Sequence, residues 1–222
     1  MRILVIEDDP VLSLQIEDAL ANSNYIVDLA NEGEGGWFLG QSEPYDAVVL
    51  DLGLPGMDGL LILEKWRQEG LKMPVMVLSA RCSWRERVLG LRAGADDYLS
   101  KPFVMEELVA RLQTLIRRAT GHAFPVLRCG FIELDQYSRQ VLVNGRPVKL
   151  TALEFRALSY LMHYQGKIIS KTELTEHIYD QHFDFDSNVI EVLINHLRRK
   201  LGKDLIKTHR GMGYQMLAND MS

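Results

Sequence analysis

Glu7, Asp8, Asp51, Ser79 and Lys101 carry the chemistry open to this chain, and each stands at or just beyond the end of a short apolar run. Asp51 is the clearest. Ala47–Leu50 is apolar without alternation, the pattern of a strand buried on both faces of a parallel sheet. After Asp51 the chain breaks into a loop containing Gly53, Pro55, Gly56 and Gly59. A carboxylate at the carboxyl end of a central strand sits where open α/β sheets hold their ligands. Three carboxylates brought together there repel, since two unit charges 4 Å apart cost ~4 kcal/mol at an effective dielectric of ~20. The cluster therefore requires a cation, and oxygen-only ligands select a hard one such as Mg²⁺. A lysine and a hydroxyl beside that cation suit a phosphoryl group, with Lys101 as a point charge and Ser79 as a donor. Asp51 is then the carboxylate set for in-line attack on phosphorus.

Convergence depends on the elements between these residues. Strand-like runs recur at Ile3–Ile6, Tyr25–Leu29, Ala47–Leu50, Val75–Leu78 and Tyr98–Leu99. Helical patterns alternate with them at Val11–Ala21, Gly33–Gln41, Leu60–Glu69, Trp84–Ala93 and Met105–Arg118. This alternation predicts a doubly wound, five-stranded parallel α/β sheet, which brings all five strand ends to one edge. Asp9-Pro10 reads as a helix N-cap followed by proline at the first helical position, which assigns Asp9 to structure rather than to the site.

Charge separates this module from the rest. The chain carries a net −5. Residues 1–120 hold 12 Lys/Arg against 19 Asp/Glu, net −7, and residues 121–222 hold 13 against 11, net +2. Between Ser187 and Arg210 six basic residues face Glu191 and Asp204, a local +4. An acidic module joined to one with a basic face is expected. No apolar run approaches the ~18 residues of a membrane span. MRILVIEDD turns acidic after one short strand, unlike a signal peptide. Cys82 and Cys129 have no metal-ligand spacing around them, which fits a reduced, cytoplasmic setting.

Ala119–Val126 has no period and contains Gly121 and Pro125, which reads as a linker over 119–125 between a module at 1–118 and one at 126–222. The pattern then alternates, with Asn144-Gly145 as a hairpin turn in a small antiparallel sheet. Thr151 and Glu154 form a capping box opening a helix to about Tyr164, and Ser170 with Glu173 repeats the device for a helix to about Tyr179. A helix over Asn188–Leu201 follows, with Val189, Ile190, Leu193, Leu197 and Leu201 as its apolar stripe. A hairpin over Leu205–Leu217, with a glycine-rich tip, closes the module. Helix, turn, helix and basic hairpin make an α+β winged helix-turn-helix order.

The segments IEDD, LDLGLPGMDG, LSA and DDYLSKPF resemble the receiver domain of two-component response regulators, a flavodoxin-like fold, over residues 1–118. The resemblance implies Asp51 as phospho-acceptor from a sensor histidine kinase. It also implies Asp8, Asp51 and the Gly53 carbonyl as direct Mg²⁺ ligands, with Glu7 acting through water. Ser79 stands where relatives carry Thr or Ser, Tyr98 matches their aromatic switch, and Lys101-Pro102 is expected to be cis. Resemblance to the OmpR/PhoB branch implies the pairs Arg87–Glu107, Asp97–Arg111 and Asp96–Arg118 between two copies, around Leu91 and Ala110. Glu86 adds to this mixed-charge surface, and the Ser83-Trp84 helix start is similar to PhoP-like members.

LTALEFRALSYL, INHLRRKL and THRGMGY resemble the C-terminal effector domain of the same branch. That implies Asn188–Leu201 as a recognition helix in the major groove, Thr208 on phosphate and Arg210 as the wing residue in the minor groove. Asn195, His196 and Arg199 are candidates for base edges, and Arg198 and Lys200 for phosphates. Asn195 and His196 replace arginines of relatives, so no operator preference carries over. The Asp180–Ser187 loop corresponds to the segment that activators of the family offer to RNA polymerase. Together these predict a non-enzymatic transcription factor that takes up a phosphoryl group, loses it slowly, dimerises and binds direct-repeat promoter sites. Two alternatives stay open here. A phosphatase using Asp51 as nucleophile would need a second acid, and Gly53, two residues on, is none. A phosphate-independent dimerising module would not need the full set of Glu7, Asp8, Asp51, Ser79 and Lys101.

Overall fold

The computed structural model describes residues 1–80, 84–179 and 188–217, without the side chain of Glu86, and divides into two compact units, Arg2–Ala119 and the residues from Thr120 onward. Cys82, Ser83 and the Asp180–Ser187 loop lie outside the described residues.

In the first unit β1 (Arg2–Ile6), β2 (Ile26–Ala30), β3 (Ala47–Asp51), β4 (Val75–Ser79) and β5 (Asp97–Ser100) form one parallel sheet in the order β2-β1-β3-β4-β5. β1, β3 and β4 are buried along their whole length, which is why they read as unbroken apolar runs. The strand order reverses between β1 and β3, the position at which such sheets place a ligand crevice. The connecting helices are α1 (Pro10–Asn22), α2 (Gly33–Ser42), α3 (Gly59–Gln68) and α4 (Trp84–Arg92), and α5 (Met105–Ala119) follows β5.

Local chemistry sets the helix starts. The Asp9 carboxylate accepts from the Val11 and Leu12 amides at 2.9 and 3.2 Å, with Pro10 opening α1, so Asp9 is occupied as a cap. Asp58 caps α3 through the Leu60 amide. At Gly59 a Cβ would fall 2.2 Å from the Asp51 carbonyl oxygen, so only glycine lets α3 begin this close to the end of β3. α3 then buries Ile62, Leu63 and Trp66, whose indole N–H donates to the Trp37 carbonyl at 3.2 Å.

The second unit opens with an antiparallel sheet of β6 (Val126–Cys129), β7 (Ile132–Asp135), β8 (Gln140–Val143) and β9 (Arg146–Pro147). Asn144 and Gly145 both take positive φ at the β8–β9 turn, as the dipeptide predicts. α6 (Ala152–His163) and α7 (Lys171–Ile178) pack with α8 (Val189–Leu201). β11 (Ile206–His209) and β12 (Gly213–Met216) form the closing hairpin. The short β10 (Ile168–Ile169), which the sequence does not signal, pairs with β12 and makes this a three-stranded sheet. Thr151 and Glu154 form the full reciprocal cap of α6. Ser170 caps α7 from one side only, because the Glu173 carboxylate accepts from the Tyr160 hydroxyl. Thr120 and His122 fall in the expected linker yet bond within the second unit. Thr120 Oγ1 lies 2.8 Å from His163 Nδ1, and His122 Nε2 lies 3.1 Å from the His163 carbonyl.

Candidate functional site

Register brings the acidic cluster together. Ile6 pairs with Leu50, so Glu7 comes level with Asp51, and Asp51 pairs with Leu78, so Ser79 lies one step further along. The Lys101 amide donates to the Ser79 carbonyl at 2.8 Å, which draws the end of β5 to the same edge. The carboxylate oxygens of Glu7, Asp8 and Asp51 lie within 4.8 Å of one another. Glu7, Asp51 and Ser79 are buried, and Asp8 is exposed at the rim.

Lys101 is the counter-ion of this cluster. Its Nζ sits 2.8 and 2.7 Å from the two Glu7 carboxylate oxygens and 3.1 Å from Asp51 Oδ2. Burial raises the Glu7 pKa above its usual value and Asp51 adds to the rise, against the opposing pull of Lys101. Burial works to lower Lys101, but Glu7 and Asp51 outweigh it and hold the ammonium above its ordinary value. Three carboxylates and one ammonium carry a formal −2, which one divalent cation would balance. The donor set is all oxygen, as a hard cation requires. Gly53 passes beside the cluster, for a Cβ built there would lie 3.5 Å from Asp51 Oδ2. These residues fit Mg²⁺. Lys101-Pro102 is a cis peptide. Tyr98 is half-buried against α4, where a Cβ on Gly90 would meet its ring at 3.5 Å.

The residues expected to pair between copies are partly engaged within one chain. Arg111 is bonded to Glu107 at 2.8 Å and to Asp97 at 3.1 Å, and Glu107 first, then Asp97, holds its pKa above the ordinary arginine value. Asp96 accepts from Arg67 at 3.1 Å and from the Val75 amide at 2.8 Å. Arg87, Leu91, Ala110 and Arg118 are exposed.

In the second unit α8 and the β11–β12 hairpin enclose a groove lined by Asn195, Arg198, Thr208 and Arg210. Asn195, Arg199, Thr208 and Arg210 are exposed. Arg198 is committed to structure. Its Nε and Nη2 donate to the Ile206 carbonyl at 3.0 and 2.6 Å, and Nη2 also donates to Thr208 Oγ1 at 2.7 Å. Lys200 reaches the other way, donating to Glu154 at 2.6 Å and to the Lys149 carbonyl at 3.1 Å. His196 is half-buried and lines a separate apolar pocket with Leu153, Tyr179 and Val189. Sequence reasoning missed Ser170, Lys171 and Thr172, which line the groove from the start of α7. A signal was present, because Lys171 puts a positive charge at a helix N-terminus, against the dipole. It is bonded to Glu191.

The Glu154–Lys200 pair makes a prediction about acid stability. Burial alone would raise the Glu154 pKa, but Lys200 and the Thr151 amide outweigh it and hold it below the usual 4.5. A depressed carboxylate pKa contributes stability above the unfolded-state value, and that contribution is lost as pH falls through the folded one. Glu154→Gln is expected to cost on the order of 1 kcal/mol at pH 7, discounted for the half-exposed lysine. The difference from the parent should close as pH drops below about 4.5, and urea unfolding at both pH values checks this.

Comparison with known proteins agrees with the geometry. Residues 3–113 match the family model described as response regulator receiver domain, and residues 145–216 match that of transcriptional regulatory protein, C terminal. The transcriptional regulatory protein QseB of Escherichia coli O157:H7 is 45% identical over 216 residues, covering 97% of this chain and 99% of that protein. The two-component response regulator PhoP of Pseudomonas aeruginosa is 41% identical over 218 residues, covering 96% and 97%. The PmrA protein of the same organism is 43% identical over 214 residues, so the likeness is not confined to PhoP. Among solved structures, the receiver domain of the Francisella response regulator 1452 superposes with a TM-score of 0.52 at 33% identity, covering 53% of this chain and 97% of that one. A parallel-sheet receiver with an acidic cluster at its switch point, followed by a winged-helix unit, places this chain among the two-component response regulators of the OmpR/PhoB type, which act as transcriptional regulators.

Proposed function

We propose that Asp51 is the phospho-acceptor of a switch that controls dimerisation and promoter binding. The observation that carries this reading is the buried Glu7–Lys101–Asp51 arrangement with Asp8 at its rim. An Asp51 carboxylate oxygen attacks the phosphorus of a phosphohistidine on a sensor kinase. A P–O bond forms, the P–N bond breaks, and the imidazole leaves with the electron pair and gains a proton. Asp8, Asp51 and the Gly53 carbonyl, with Glu7 through water, would hold a Mg²⁺ ion, which would supply charge neutralisation at the cluster. Lys101 turns from Asp51 to a phosphoryl oxygen, and Ser79 donates to another. Tyr98 follows Ser79 inward. The chain carries out no turnover beyond slow loss of the phosphoryl group to water.

The proposed dimer forms through α4, β5 and α5, with Leu91 and Ala110 at its centre and Arg87, Asp96, Asp97, Glu107, Arg111 and Arg118 as its charged residues. Asp96 would exchange Arg67 for Arg118 of the second copy. Two effector units then bind direct-repeat half-sites, and avidity strengthens weak monomer binding. α8 enters the major groove with Asn195 and Arg199 toward bases, Thr208 toward phosphate and Arg210 toward the minor groove. Arg198 and Lys200 brace the helix. RNA polymerase would be met by the Asp180–Ser187 loop, and the setting is cytoplasmic. Light scattering of the full chain with acetyl phosphate and Mg²⁺ tests the switch. A mass rising from monomer to dimer is expected, and an unchanged mass would refute it.

A further inference from the structure

α4 gives little of itself to the core of the first unit. Among its described residues only Gly90 is buried, at the point where the helix passes the Tyr98 ring. Trp84 is 65% exposed, Val88 37% and Leu91 51%. These three stand at i, i+4 and i+7, so they form one apolar stripe, and that stripe is turned to solvent and away from Gly90. A stripe at this spacing is what a surface helix ordinarily lays on a core. α4 has nine residues, fewer than the ~12–15 at which even a good isolated helix becomes marginal, so its stability has to come from packing. Its most apolar face finds none among the described residues of its own unit. Charge indicates what covers it. Arg85, Arg87 and Arg92 flank the stripe and are exposed, and the Arg85 guanidinium lies over the Trp84 ring, 5.3 Å from its centroid. The start of α5 is the opposite, with exposed Val104 followed by Glu106 and Glu107. One unit thus carries a basic-flanked apolar stripe and an acidic, partly apolar helix start, which two copies related by a twofold axis can satisfy in each other.

We propose that Trp84 is the anchor of an interface with a second copy of this chain, and that α4 completes its packing only there. A twofold interface repeats each contact, so one dimer buries two indoles. Tryptophan is among the residues on which binding energy concentrates, because it brings a large apolar area at little cost in side-chain freedom. The inference rests on the dimer proposed above. It carries that dimer's apolar centre from Leu91 and Ala110 to the N-terminal end of α4 and assigns the main anchor to a residue outside the charged pairs.

The chain carries its own reporter. Trp66 is fully buried and Trp37 half-buried, so Trp84 is the indole most open to a quencher. The test measures acrylamide quenching of the full chain's fluorescence, with and without acetyl phosphate and Mg²⁺, alongside light scattering of the same samples. The parent monomer is expected to show a readily quenched component that Trp84→Phe lacks, and that component should be shielded when the dimer forms. This readout is taken on the parent and does not depend on how a variant folds. Trp84→Ala should take up a phosphoryl group as the parent does, yet dimerise at least about tenfold more weakly. The anchor is overturned if Trp84 stays quenchable in the dimer, if it is already shielded in the phosphate-free monomer, or if Trp84→Ala dimerises like the parent. A parent that takes up the phosphoryl group and stays monomeric overturns the dimer reading itself, and the anchor with it.

Discussion

Asp51→Ala protein is expected to remain folded, to take up no phosphoryl group and to keep one oligomeric state at any concentration of acetyl phosphate. The fold should tolerate the change because Asp51 is the weaker partner of Lys101. The ammonium keeps both Glu7 oxygens at 2.7–2.8 Å after the 3.1 Å contact to Asp51 is lost. The cluster's formal charge also falls from −2 to −1, which relieves repulsion. What disappears is the nucleophile. Moving a two-state equilibrium from 1:99 to 99:1 takes ~5.5 kcal/mol of differential binding, and without a phosphoryl group no new contacts to Ser79 and Lys101 arise to supply it. Weak DNA binding should survive with its salt dependence intact, because the basic surface of the second unit is untouched. Light scattering together with gel-shift titration at two salt concentrations measures both halves. A phosphodonor-dependent dimer in this variant would contradict the account.

Lys101→Met should produce the largest loss of stability. It removes the ammonium between two buried carboxylates and takes the cluster from −2 to −3. Two such charges ~4 Å apart repel by ~4 kcal/mol at an effective dielectric of ~20, and even half of that lowers the melting temperature by on the order of 10 °C. Mg²⁺ should then recover far more stability in the variant than in the parent, where Lys101 already supplies a positive charge. Thermal melts with and without Mg²⁺ give the comparison. Equal Mg²⁺ shifts in both proteins would mean that Lys101 is not the counter-ion of the site.

The first unit was legible because a parallel sheet buried on both faces writes itself as apolar runs, and its ligand edge follows from topology. Glu7, Asp51, Ser79 and Lys101 could therefore be gathered from positions far apart in the chain. How Lys101 divides itself between Glu7 and Asp51 could not, because that depends on ångström-scale reach rather than on pattern. Asp96 shows the same limit, since Arg67, its partner within the chain, lies 29 residues earlier and gives no local signal. On α8 the period was right and its phase was slightly off. The expected stripe included Val189, whereas the core takes Ile194 and leaves Val189 half-buried. The faces of α8 are set by α6, β11 and the pocket beside Leu153, all distant in sequence. For that reason the sequence gives no sign that Arg198 and Lys200, read as phosphate contacts, also bond within the unit, to the Ile206 carbonyl and to Glu154. β10 was missed because two residues carry no alternation, and only pairing with β12 makes them a strand.

The central claim is that a buried acid at the switch point accepts a phosphoryl group. Intact-mass spectrometry of the purified full chain after acetyl phosphate and Mg²⁺, followed by borohydride trapping and peptide mapping, tests it most directly. The account predicts one added phosphoryl group, located on Asp51 and absent when Mg²⁺ is chelated. An unmodified protein, or modification at another residue with Asp51 intact, would contradict it.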